Sequence, residues 1–570
     1  MNRNTELHFS NTPKIEVKRS KFDMSSSHKT TFNTGDIIPI YTDSDILPGD
    51  TVQIDVASLV RMATPIYPVM DNLFLDLYWF YVPHRLVWSH FKEFWGENED
   101  PWARETEYQI PQINPPIGGW EEGTIADYMG LPTKVAHTSV SALPFRAYCR
   151  IWNDFFRDQN LKKAAHIYTD ETTRMGVNSG DYVTSAELGG KPLKAAKLHD
   201  FFTSMLPNAQ KGPSVALPLS GEAGVKTGPI NTDWANWQEG IRLTNKLGTS
   251  LTSPAVNNSR PINITNVGTS TSADFRVTTY TTNNTSAQTP DVPTSTRAAT
   301  EMVPINLYAD LSNATAATVA QLRTAFAIQK YYENAGLHGT RYIEYIRSVF
   351  GITSSDARMQ RAEYLGGKRV PLNIDQVLQT SSTNETSPQG NTAGFSCTFD
   401  KHSAFTKSFE EHGTLMCLAV VRTEHTYQQG IDQMWKRKTW EQFYNPFFAH
   451  LSEEGITNET IYAQTAGIAA NVEIFGYQER WASYRYHNSK ITGYMRSNAT
   501  GSLDVWHFGD KYDALPTLGT TWIDEPYTNV DRVIAVTSQL THQFLADFYF
   551  KAYYTRPMPV YSVPGLIDHV

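Results

Sequence analysis

Hydrophobic and polar positions alternate most clearly near the two ends of the chain. Val52, Ile54 and Val56 alternate with polar residues, the period of a strand with one buried face. Near the C-terminal end Phe544, Ala546, Phe548, Phe550, Ala552 and Tyr554 share one face, with Asp547, Lys551 and Thr555 on the other. Arg556-Pro557 then predicts a stop, because proline cannot donate to a ladder. Two further runs, Leu73–Val82 and Leu415–Val421, are nearly continuous in apolar residues and read as strands buried on both faces. Helical spacing is confined to the middle. Val319, Leu322 and Phe326 form one stripe behind the Thr318/Gln321 capping-box pair. Ile343, Ile346 and Phe350 form another, closed by Gly351, and Ile151–Phe156 predicts a third helix. The pattern predicts a mainly β core with long inserted excursions that contain helices. Its first and last strong strands lie at opposite ends of the chain, which suits a jelly roll.

The same pattern divides the chain. Residues 1–50 read as an N-terminal arm with a basic cluster, Lys14, Lys18, Arg19 and Lys21, ending in the turn signal Leu47-Pro48-Gly49-Asp50. Residues 51–220 carry the first strands and their insertions. Residues 221–300, most strongly 248–300, are dense in Thr, Ser and Asn and cannot bury a core of their own. A segment of this length and composition predicts a surface insertion. Ser381–Gly394 is a shorter tract of the same kind. Residues 301–570 hold the helical insertions and the remaining strands.

A chain of 570 residues exceeds what one hydrophobic core usually supports. Its aromatic content of 12%, with 29 Tyr and 13 Trp, favours contact-rich surface. The net charge of −9 argues against nucleic-acid binding by the whole surface, so any DNA contact has to be local. Cys149, Cys397 and Cys417 are too few for a disulfide framework and suit a reducing cytoplasm. Met1–Ser10 is too polar for a signal peptide. No apolar run reaches the roughly 18–20 residues of a membrane span, and no membrane insertion is expected.

Catalytic and cofactor motifs are absent, and neither catalytic residues nor a cofactor is expected. Leu365-Gly366-Gly367-Lys368 lacks phosphate-loop spacing and reads as a turn. Cys397, His402, His412 and Cys417 do not have the paired spacing of a zinc site. Glu121-Glu122, Glu410-Glu411 and Asp524-Glu525 offer carboxylates to a carbohydrate-active or carbohydrate-binding β protein of the secreted type, the alternative function. Their ordinary reading is surface charge. Lys436, Arg437 and Lys438, between Trp435 and Trp440, interleave cations with aromatic faces as single-stranded DNA surfaces do. Solvated charges beside packed indoles are the more ordinary reading. Arg480, Trp481, Arg485 and Tyr486 pose the same choice, with a subunit interface ahead of DNA because these residue types dominate interface hot spots.

The block that contains them, Phe475-Gly-Tyr-Gln-Glu-Arg-Trp-Ala-Ser-Tyr-Arg-Tyr486, resembles a segment of the major capsid protein of gokushoviruses, small single-stranded DNA phages of the Microviridae. Ile151–Leu161, Asp356–Gly367, Tyr427–Gly430 and Met558–His569 resemble further segments of that family, in family order. The resemblance implies a viral eight-stranded jelly roll with long inter-strand insertions. It also implies self-assembly into a T=1 icosahedral shell around a circular single-stranded DNA genome, as part of a virion assembled in a bacterial cytoplasm. The implied partners are other copies of the chain, the genome, an internal scaffolding protein and a small basic DNA-binding protein. The Thr/Ser/Asn-rich insertion resembles the family's three-fold protrusion, which is associated with a bacterial surface receptor. The arm and its basic cluster are expected on the interior.

Overall fold

The computed structural model describes residues 18–97, 107–215 and 319–561, apart from 340, 384, 386, 387, 466 and 467. Between 215 and 319 it describes six short strands. Lys14 and residues 562–570 lie outside the described residues.

Two sheets carry the core. Their strands are β1 (Ser20–Asp23), β2 (Ser26–Phe32), β3 (Ile38–Ile46), β4 (Thr51–Met62), β5 (Leu73–Pro83), β6 (Glu363–Pro371), β7 (Thr398–Ser408), β8 (Gly413–Thr423) and β9 (Phe544–Arg556). In sheet I the order is β2-β9-β4-β7, with β1 pairing the distal half of β9. In sheet II it is β3-β8-β5-β6. Every one of these pairings is antiparallel. The two strands predicted from opposite ends of the chain are neighbours, with Phe550 opposite Val56 and Ala552 opposite Ile54. β9 ends at Arg556, where Pro557 was expected to stop it.

The inner faces of the sheets meet on aromatic side chains. Trp79 of β5 packs against Phe405 of β7 and Phe550 of β9, with ring centroids 5.3 and 5.8 Å apart. The Tyr41 and Tyr554 hydroxyls meet at 2.7 Å across the same space. Sheet II is buried on its other face as well. Phe80 and Val82 of β5, with Met416, Leu418 and Val420 of β8, pack under α1 (Leu143–Ile151) and its flanking coil. This second layer explains the unbroken apolar run of β5.

Several expectations need correction. Strands start at Ser20, well inside the arm expected over residues 1–50. Phe32, Ile38, Ile40 and Ile46 are fully buried, and their alternation was obscured by the polar residues between them. Leu365–Lys368 is not a turn. It lies within β6, where a bulge at Tyr364/Gly366 absorbs one residue. Gly367 is required there, since a Cβ would sit 2.6 Å from the Leu77 carbonyl oxygen. The helix expected at 151–156 starts at Leu143 with Pro144 in its first turn, and Trp152–Phe156 continues it as a π turn. α2 (Val319–His338) follows the first helical stripe, though Val319 and Phe326 remain exposed and Thr318 lies outside the described residues. The second stripe forms a short helix and a π turn closed by Gly351, as expected, and leaves Phe350 exposed.

Pro213–Tyr331 is a separate compact unit. Its strands pair in nested fashion: Gly224–Thr227 with Leu307–Asp310, Leu243–Asn245 with Met302–Pro304, and Asn263–Asn266 with Phe275–Thr278. The chain therefore runs out and returns alongside itself, with Gly224 opposite Asp310.

A buried charge network ties the segment after β8 to the coil before β9. His425 bridges Asp510 at 2.9 Å and Glu525 at 2.8 Å, and Lys197 reaches Asp510 at 3.0 Å. Burial opposes the imidazolium, but the two carboxylates outweigh it and raise the His425 pKa to about 10. Burial opposes the Asp510 carboxylate too, and Lys197 with His425 outweighs it, holding Asp510 well below the usual range. The His425 contribution to stability is full below its ordinary pKa of 6.5 and fades as pH rises towards 10. The Asp510 contribution is full above 3.8 and fades in acid below it. Thermal melts of the purified subunit should therefore show falling stability from pH 6.5 to 10, and His425→Leu should flatten that slope. The substitution removes the cation between two buried carboxylates, leaving Asp510 with Lys197 and Glu525 with the Thr423 donors, and should cost about 3–5 kcal/mol. An unchanged melting temperature in the variant would remove the network's stabilising role.

Candidate assembly surface

The coil and short turns between residues 427 and 496 bring together two segments that are far apart in sequence. Its base is the Tyr427–Gly430 block. The Tyr427 hydroxyl donates to Asp200 at 2.7 Å, and Gln429 exchanges two hydrogen bonds of 2.7 Å with the Tyr512 backbone. Gly430 passes so close to the Thr460 carbonyl that no Cβ fits. Glu453–Thr457 and Ile474–Glu479 then pair as a two-stranded ribbon. Just beyond it the backbone turns at Trp481, whose φ of 71° is rare for a non-glycine residue. Packing holds the turn. The Trp481 indole is 4% exposed, donates to the Phe448 carbonyl at 3.2 Å and meets Tyr444 edge-on at 5.6 Å.

Around this anchor Trp435 (75% exposed), Trp440 (68%) and Phe447 (90%) stand in solvent, with Phe443, Tyr444, Tyr484 and Tyr486 about half exposed. The sequence reading had kept the Trp435–Trp440 and Arg480–Tyr486 segments apart, and the fold joins them. The Arg437 guanidinium lies 4.1 Å from the Tyr484 ring centre and donates to Ser483 at 2.8 Å. A cavity of about 500 Å³ between the two segments is lined by Trp435, Arg437, Glu454, Arg480 and Trp481. Trp481 was a candidate for direct partner contact. Its burial makes it the internal support of the patch instead, and Phe443, Tyr444 and Phe447 supply the exposed aromatic surface. These three were missed because Phe443-Tyr-Asn-Pro-Phe-Phe448 has neither helical nor strand period. Aromatic density at a proline was the available signal.

The patch is rich in charge but internally matched. Lys436 pairs with Glu459 at 3.0 Å and also donates to Thr457 and Thr460. Arg485 pairs with Glu479, and Lys490 with Asp432 at 2.7 Å. Burial raises the Glu454 pKa while Arg480 and Arg437 beside it pull it down. Lys438 is exposed, and its backbone N–H donates to Gln442. A phosphate would have to compete with carboxylates for most of these cations. A partner surface of aromatic and neutral polar groups would not.

The remaining candidates are dispersed. Lys18 and Arg19 are exposed ahead of β1, and Lys21 on β1 lies 4.1 Å from the Tyr553 ring centre. Among the described residues no cluster of His, Cys, Asp or Glu is arranged to hold a metal ion. Cys417 is buried in β8, His402 bonds Asp400 at 2.8 Å, and His412 stacks on Trp95. Four of the six carboxylates considered for glycoside chemistry are engaged elsewhere, Glu411 with Arg85, Asp524 with Lys162, Glu122 with Lys134 and Glu525 with His425, and Glu121 and Glu410 are exposed.

Comparison with known proteins resolves the class. The family described as capsid protein (F protein) matches residues 10–566. The chain is 41% identical over 555 residues to capsid protein VP1 of Spiroplasma virus 4, covering 96% of both chains. It is 39% identical over 578 residues to capsid protein VP1 of Bdellovibrio phage phiMH2K, covering 99% of this chain and 98% of that one. Against capsid protein VP1 of Chlamydia phage 1 the identity is 37% over 587 residues, with 98% and 97% covered. The gokushovirus resemblance read from a few blocks thus extends along nearly the whole chain, and the carbohydrate-active alternative falls away. The chain belongs to the capsid protein (F protein) family of Microviridae phages and is a structural protein, not an enzyme.

Proposed function

We propose that this chain is the major subunit of a closed T=1 icosahedral shell, built from eight-stranded jelly rolls around a circular single-stranded DNA genome. The strand order supports the jelly roll. β2 to β9 distribute as β2-β9-β4-β7 and β3-β8-β5-β6, with the first and last strands side by side. The observation that carries self-assembly is the aromatic patch around Trp435, Trp440 and Phe447. It exposes several large aromatic side chains together, and Lys436, Arg485 and Lys490 within it are already paired with carboxylates. A second copy of the chain is its occupant, in a head-to-tail contact that closes by rotation.

Further partners follow from charge and from family. A subunit of net charge −9 leaves much of a genome's charge to others, which suits a small basic DNA-binding protein. An internal scaffolding protein would hold subunits during assembly in the bacterial cytoplasm, where the three free cysteines stay reduced. The arm, with Lys14, Lys18, Arg19 and Lys21, faces the genome. The unit Pro213–Tyr331 contains the surface insertion. Its nested strands suit a protrusion at the three-fold axes that meets the host receptor.

Two experiments test this reading. Replacing Trp435 and Phe447 together by Ser removes exposed side chains only and should leave the subunit melt within a few degrees. Each loss at an interface hot spot costs about 2 kcal/mol or more, so particles should vanish from sedimentation profiles. Normal particle yield would exclude the patch as an interface. Replacing residues 248–300 by a short Gly/Ser linker should leave particles intact, because Gly224 and Asp310 already lie opposite one another. Adsorption to the host should fall sharply. Unchanged adsorption would remove the receptor role, and loss of particles would make the insertion an assembly element.

A further inference from the structure

On each strand of sheet I the core residues alternate with a second set that points away from the core, and this set is polar, cationic and aromatic. Register places them in rows. Lys29, Asp547, Leu59 and Phe399 form one row across β2, β9, β4 and β7. Ser27, Tyr549, Ala57 and Lys401 form the next, and Lys551, Asp55 and Ser403 follow. Arg61 stands opposite Leu545 at one end, and Lys21 opposite Thr555 at the other. Lys29, Arg61, Lys401 and Lys551 are exposed, as are Tyr549 and Phe399. Lys29 pairs with Asp547 at 3.4 Å, but with Lys18 and Arg19 leading into β1 the cations still outnumber the carboxylates Asp23, Asp55 and Asp547 on this face of an acidic chain.

Here too, as in the assembly patch, cations lie against aromatic rings. Lys21 and Lys551 lie 4.1 and 5.5 Å from the Tyr553 ring centre. Tyr549 and Tyr553, four residues apart on β9, are separated by about 13 Å along the strand at the usual rise. The row between them holds Lys551, Asp55 and Ser403, and short side chains, Ser27 and Ala57, flank Tyr549 in its own row. At the Arg61 end the face opens into a cavity of about 700 Å³. Leu59 and Leu545 line it with apolar surface, Lys29, Arg61 and His542 add cationic or titratable groups, and Glu122, Asp127 and Asp547 add carboxylates. That volume falls in the range of small-ligand sites, roughly 300–1,000 Å³.

The geometry points to the outer face of sheet I as a single-stranded DNA surface. Its lysines and Arg61 contact phosphates, and Tyr549, Tyr553 and Phe399 stack on bases. Stacking on aromatic faces with cations along the backbone is the chemistry by which single strands are held without sequence preference. The inference rests on the reading of the chain as a shell around such a genome. It goes further in assigning the contact to this sheet rather than to the arm alone or to the Lys436–Lys438 segment.

Ultraviolet crosslinking of intact, DNA-filled particles, followed by mass spectrometry of nucleotide adducts, tests it. Adducts are expected on Tyr549, Tyr553 or Phe399. Tyr549→Leu should lower the yield from the β9 peptide about tenfold, because one stacking platform is lost. The pair Lys401→Gln and Lys551→Gln alters only exposed side chains and should lower the same yield severalfold with particle number unchanged. DNA-filled particles whose adducts fall only outside sheet I, for example between Trp435 and Tyr486, would overturn this inference and leave the shell reading standing. Particles that never contain DNA would contradict the shell reading, and this inference with it.

Discussion

Burial of sheet II on both faces is the constraint on which the rest of the structure depends. β5 and β8 send Leu75, Leu77, Trp79, Leu415 and Cys417 towards sheet I, and Phe80, Val82, Met416, Leu418 and Val420 the other way. A strand apolar on both sides can exist only if something covers both sides. Sheet I covers one. The other is covered by inserted chain, so the long connections are part of the core rather than ornaments on it. The single charge in the Leu73–Val82 run shows how strict the requirement is. Asp76 is buried, and burial opposes its charge, but Arg369 and Arg422 from the flanking strands grip it and hold its carboxyl below the usual range.

Once the connections are pinned at sheet II, their outer parts are available for other work. The junctions are where the family-like blocks fall. Asp154, from the 151–161 block, accepts from the Ala362 backbone at 3.1 Å, while Arg361 lies 4.0 Å from the Phe155 ring centre. Gln478, from the 475–486 block, is buried against the Phe201 carbonyl. These are intramolecular knots. They hold the loops at fixed positions, and the exposed Trp435, Trp440 and Phe447 project from loops held in this way. Among the described residues sheet I has no such cover on its outer face, and its alternation of core and solvent residues is correspondingly clean.

This difference explains how much was legible in the sequence. β4 and β9 were readable because one face is wet and their period is simple. β5 and β8 were readable because their apolar runs are unbroken. β2 and β3 were hidden inside an apparent arm, since Thr30, Thr31, Tyr41 and Asp43 dilute the apolar signal while Phe32, Ile38 and Ile40 do the packing. β6 was mistaken for a turn because its glycines mark a bulge and a close backbone approach rather than a reversal. The candidate surfaces were legible as residue types but not as places. No spacing rule could have told that Arg437 meets Tyr484, or that Trp481 points inward while Phe447 points out. Those facts come from the αL turn at Trp481 and from the knots at Tyr427–Gly430, which are tertiary in origin.

The account's central claim is one of orientation: sheet I turned to the genome, and the Trp435–Tyr486 patch closed against a neighbouring subunit. Reconstruction of native particles by electron cryomicroscopy tests both halves at once. The account predicts a single closed shell in which Tyr549 and Lys401 line the inner wall and Trp435, Trp440 and Phe447 are buried between subunits. A shell with β9 and β7 on its outer surface, or with Phe447 left in solvent, would contradict it.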